Sequence, residues 1–186
     1  MRPLSLVAAL LLIVGVTLTG LNLLLWGWTV YAAGHVAAIG ALIAIAAVNR
    51  ARLDVFAWLG LIVLVAGLVL ALPQVVAIWQ SYATESPAVL ACAGCQGPRQ
   101  PMEVPSLTAP VGLAAELVTW IGVAFFGLAA RGAHALPRGI GWVMAGAAVI
   151  GIIAALNIVS PYAWVAAMLL LALSLLAIGA SAKRSA

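Results

Sequence analysis

Charge is what this chain has least of: four acidic and eight basic residues among 186. Residues 3 to 49, 55 to 84 and 139 to 182 contain no Lys, Arg, Asp or Glu at all. A soluble surface needs ionised groups to cover it, so stretches of this length exclude a water-soluble fold. The same scarcity excludes a nucleic-acid partner. The pI is near 9.7, but the basic residues are scattered and form no patch. Cysteine is limited to two residues, too few for a disulfide framework. No Gly-rich phosphate loop, His-x-x-x-His or Asp-rich motif lies in a polar segment, and those segments are too short to hold a nucleotide site. The chain reads against a self-contained enzyme, with no cofactor implied.

What is abundant is apolar. Two thirds of the residues are hydrophobic, with a mean hydropathy of +1.26. A spanning helix takes about 20 predominantly apolar residues. The chain accommodates six, at about 4–26, 30–48, 55–79, 111–130, 139–157 and 162–181. The expected fold is an all-α polytopic transmembrane bundle, a single domain over 1–186, with the lipid bilayer as its surroundings. The first span reads as a retained helix, since no small-x-small cleavage site interrupts it. Cleavage there would leave five helices in the same orientation.

Each boundary has a cause. Gly27 lies between Trp26 and Trp28, aromatics that suit the headgroup region. The segment NRARLD (49–54) is too charged for hydrocarbon. Five prolines (Pro87, Pro98, Pro101, Pro105, Pro110) argue against a long helix in the 81–110 loop. The segment RGAHALPR (131–138) separates the fourth and fifth spans, and Ser160-Pro161 the last two.

Short loops rich in Lys and Arg stay cytoplasmic. Arg2, Arg50, Arg52, Arg131, Arg138, Lys183 and Arg184 fall on one side of the six-span arrangement, and Arg99 alone on the other. Both termini are therefore expected in the cytoplasm and the 81–110 loop outside. The aromatics Trp26, Trp28, Tyr31, Trp79, Tyr82, Tyr162 and Trp164 gather at the outer interface, as a headgroup belt would. Small-residue stripes, Ala33/Ala37/Ala41 and Ala147/Gly151/Ala155, offer close helix contact. No internal repeat relates the first three helices to the last three.

Two groups of residues could carry chemistry. Cys92 and Cys95, in ACAGCQGP, lie in the outer loop, where an oxidising compartment favours a disulfide. Ser86-Pro87 reads as the start of a short helix ending near Gly94 that brings the thiols together. A redox-active pair is the second reading. It is similar, over four residues, to membrane thiol oxidoreductases of the vitamin K epoxide reductase and quinone-linked type. Those enzymes relay electrons between two cysteine pairs, and this chain has one. A metal site is the third reading, but two thiolates need further ligands.

The second group is intramembrane and polar. Asn22, His35, Gln74, Glu116 and Asn157 come from five different spans, all placed within roughly 10 Å of the outer surface. Polar residues in a span mark either a site or interhelical hydrogen bonds near a wet interface. The leading reading is the second, in a small non-catalytic membrane protein that stands alone or serves as an accessory subunit. The alternative is a small transporter or sensor with a shallow outward-facing pocket and Glu116 and His35 as a proton-linked or cation-binding pair. Pro73, beside Gln74, frees a backbone carbonyl at that depth.

The stretch FFGLAARGAHALPRGIGWVMAGAAVIG (125–151) resembles a group of bacterial six-helix integral membrane proteins classed as domains of unknown function. The resemblance covers the C-terminal third. It implies a compact six-helix bundle in a bacterial inner membrane and assigns no activity.

Overall fold

A chain with so little charge must satisfy its backbone hydrogen bonds within itself, and the α-helix does so segment by segment. The structure, a computed structural model, describes residues 2–20, 24–91, 109–132, 136, 138–156 and 162–181. Six helices account for nearly all of them: α1 (Arg2–Gly20), α2 (Leu24–Val48), α3 (Val55–Ala91), α4 (Ala109–Gly132), α5 (Arg138–Ala155) and α6 (Tyr162–Ser181). Among the described residues there is no strand.

Three stretches are long and apolar enough to cross a bilayer: Trp26–Val48, Val55–Gln80 and Gly112–Gly132. The described parts of the other helices, Leu4–Thr19, Gly139–Ala155 and Ala163–Ile178, are shorter apolar segments. Outward-facing side chains are apolar too. Val36, Ile43, Phe56, Ile62, Ile121 and Trp142 are each more than half exposed. In water such a surface would drive association; against acyl chains it costs nothing. The hydroxyls follow the same logic, since Thr17, Thr19, Thr119 and Ser174 each donate to the carbonyl four residues earlier. That local bond satisfies the donor without water.

Each helix packs on its sequence neighbours, and α6 returns to α1, so the six close into a ring. Trp120, Phe126, Leu42, Ile45, Leu64 and Met144 fill its interior. Lipid provides no hydrophobic drive between helices, so close backbone approach has to hold them together. Glycines supply it at several seams. Along α1–α2, a Cβ on Gly15 would sit 2.5 Å from the Tyr31 amide nitrogen, and one on Gly34 would sit 2.8 Å from that of Leu12. Along α3–α4, Gly60 lies on the backbone of Phe126, Gly67 on Thr119 and Gly122 on Leu64. The stripe Ala147/Gly151/Ala155 is buried, but Ala33 of the other stripe faces outward. On α2 the contact with α1 runs through Gly27, Tyr31 and Gly34 instead.

Two boundaries differ from the sequence reading. The first helix ends at Gly20, and Trp26-Gly27-Trp28 belongs to α2. Gly27 is no turn residue: its missing side chain admits Thr19 of α1. The second correction concerns the 81–110 loop. Helix α3 runs unbroken through Pro87 to Ala91, so no separate short helix starts at Ser86. Proline removes one backbone donor, and a helix tolerates that loss when its neighbouring turns hold. The cysteines Cys92 and Cys95 lie outside the described residues.

The α2–α3 turn shows how the few charges are used. Ile45 O accepts from Asn49 through both its backbone (3.0 Å) and its side chain (3.0 Å). At the other end, Asp54 Oδ1 accepts from the Ala57 amide at 2.7 Å, a side-chain cap on the first turn of α3. Asp54→Ala is expected to lower stability by about 1 kcal/mol, with Asp54→Asn retaining most of it. Thermal melts of the purified protein read the difference.

Candidate functional site

Four helices place side chains around one cavity at the end of the ring where α2, α4 and α6 begin. Its lining includes Trp28, Tyr31 and His35 from α2, and Ala71, Gln74, Val75 and Ile78 from α3. Helix α4 adds Glu116, Thr119 and Trp120, and α6 adds Trp164 and Met168. Within each helix these positions recur at three- or four-residue steps, so each set lies on one face. The cavity holds about 50 Å³, room for roughly three or four water-sized groups.

One wall is aromatic. Trp28 and Tyr31 meet edge to face at 5.4 Å between centroids, and Trp164 of α6 stacks obliquely on both, at 6.2 and 5.4 Å. Tyr31 is 3% exposed, and its hydroxyl donates to Met168 Sδ at 3.8 Å, a weak acceptor. Trp120 is buried against Gly151 of α5, where a Cβ would collide with the indole.

Polar groups line the rest. His35 Nε2 lies 2.9 Å from the Leu68 carbonyl. A carbonyl only accepts, so Nε2 carries the proton and Nδ1 is the nitrogen left over. Leu68 is one residue before Val69, whose carbonyl loses its usual helical donor to Pro73. The side-chain amide of Gln74 lies over Gly112, 2.8 Å from where a Cβ would be. Among the described residues, no hydrogen bond is made to the Glu116 carboxylate, and no Lys or Arg lines the cavity.

His35, Gln74 and Glu116 thus face one space, while Asn22 and Asn157 lie outside the described residues. The place of His35 within its helix differs from the sequence reading. His35 is eleven residues into α2, about 16 Å of helix rise, and so near the middle of that helix. The earlier start of α2, at Leu24, is the cause. The aromatic belt is also partly reassigned. Trp26 points outward at 66% exposure, and Trp79 lies at the surface donating to Thr29 Oγ1 at 2.9 Å. Trp28, Tyr31 and Trp164 turn into the ring. The signal was present in the spacing: residues two apart on a helix cannot share a face, and Trp28, Tyr31 and His35 can.

No group of three or more His, Cys, Asp or Glu able to hold a metal occurs among the described residues. The arrangement is an all-helical bundle, three of whose helices are long and apolar enough to cross a membrane, with a small cavity of mixed aromatic and acidic lining. Comparison with protein families, curated proteins and solved structures found no match to this chain.

Proposed function

We propose that the chain is a six-span protein of a bacterial inner membrane, with both termini cytoplasmic, that binds a small solute in the cavity between α2, α3, α4 and α6. It is related in architecture to the bacterial six-helix proteins its C-terminal third resembles. It acts as a small transporter or sensor. The observation carrying this reading is that Gln74 and Glu116 face a cavity with no hydrogen-bond partner among the described residues. Interhelical glue would pair such groups with one another, and both are only half-buried here. A site leaves them for a ligand or water. The orientation is supported by the seven basic residues that share one side and the single Arg99 on the other.

Accessibility tests both parts. With Cys92 and Cys95 replaced by Ser, Ala71→Cys is expected to react with a small impermeant thiol reagent from outside the cell. The lipid-facing Ile43→Cys should stay unlabelled, and a reporter fused after Ala186 should behave as cytoplasmic. Labelling of Ala71→Cys from the cytoplasm alone would reverse the topology. No labelling from either side would leave a non-catalytic bundle, standalone or accessory to a larger complex.

A further inference from the structure

The cavity's chemistry narrows what it can hold. Its only carboxylate is Glu116 and its lining carries no fixed positive charge, so an anion has nothing to pair with. Hard metal cations are poorly served. They take six or more oxygens, and the lining side chains that carry oxygen (Glu116, Gln74, Thr119 and the Tyr31 phenol) are too few for such a shell. A sugar is too large for about 50 Å³.

Aromatic faces change the answer. Indole and phenol rings present negative faces that attract organic cations, and Trp28, Tyr31 and Trp164 pack into one wall. An ammonium group has three donors and no acceptor. The polar residues of the lining include three that can accept: Glu116 through its carboxylate, Gln74 through its amide, and His35, whose Nδ1 is left as acceptor by the proton on Nε2. We infer that the solute is a short primary alkylammonium ion of three or four heavy atoms. Its ammonium lies against Glu116, and its alkyl tail lies along the aromatic wall. This assignment rests on the solute-binding reading above and adds the ligand class.

The test uses the full chain in lipid nanodiscs, titrated with ethylammonium chloride at constant ionic strength and followed by tryptophan fluorescence. Saturable binding is expected, at least tenfold tighter than for the larger tetramethylammonium or for neutral ethanol. Glu116→Gln, which keeps the side chain's shape, should weaken binding at least tenfold while its melting temperature stays near wild type. Ala71→Leu should abolish binding by filling the space. Unchanged affinity in Glu116→Gln, equal binding of ethanol, or response to inorganic ammonium alone would each overturn the assignment. If ethylammonium fails while Ala71→Cys still labels from outside, the ligand class falls and the cavity reading stands. Loss of both results removes the two together.

Discussion

Gly122→Leu is expected to cost the protein about 3 kcal/mol of stability, enough to unfold a large share of it in mild detergent. A Cβ at Gly122 falls on the backbone nitrogen and Cα of Leu64, with Leu64 itself fully buried. A flexible side chain could step aside, but a helix backbone cannot, so α3 and α4 must separate. Separation loses the dispersion contacts on which helices in lipid depend. Gly60 and Gly67 sit on the same seam, so the loss spreads along the pair rather than staying at one residue. The control is Gly146, which faces outward with nothing within 4 Å of where a Cβ would stand. Gly146→Ala should be neutral or stabilising by up to about 1 kcal/mol, because alanine is the better helix former. Denaturant titrations of the two variants should move in opposite directions. Equal shifts would mean that helix propensity, and not the seam, sets the stability.

That seam illustrates what the sequence could and could not give. Charge gaps and apolar length place six helices, since hydrocarbon tolerates little else. The polar residues His35, Gln74 and Glu116 stand out for the same reason: each is rare in its surroundings. Turn positions were less legible where a residue had two uses. Gly27 looks like a break between two aromatics, yet it serves as a notch for Thr19. Pro87 looks like a stop, yet α3 continues through it. The aromatic wall was hidden by a competing explanation, because Trp and Tyr near a helix end fit a headgroup belt equally well. Only the spacing of Trp28, Tyr31 and His35 distinguishes an inward face from a belt. Nothing in sequence order says that α6 will meet α2 across the ring. That contact, through Trp164, follows from ring closure by α1 and α6.

His35→Ala is the second large effect, expected at about 3 kcal/mol. Helices α2 and α3 are the least closely packed neighbours in the ring. Hydrogen bonds take up part of the difference: His35 Nε2 to Leu68 O at 2.9 Å and Trp79 Nε1 to Thr29 Oγ1 at 2.9 Å. The first is buried, with His35 only 3% exposed, and the second lies at the surface where water competes. Alanine therefore removes the stronger link and also deletes a buried ring, which leaves a void. His35→Gln retains a donor of similar reach and should recover part of the loss, whereas His35→Leu fills volume without the bond and measures the bond alone. Interhelical hydrogen bonds in membranes average about 0.6 kcal/mol, so the leucine variant should lose much less stability than the alanine one. The void has a second consequence, because His35 lines the cavity. His35→Ala should enlarge it and admit a longer alkylammonium than the wild type accepts. Tetramethylammonium, excluded before, becomes the sensitive probe. Wild-type stability in His35→Ala, with tetramethylammonium still excluded, would show that this ring neither joins α2 to α3 nor bounds the cavity.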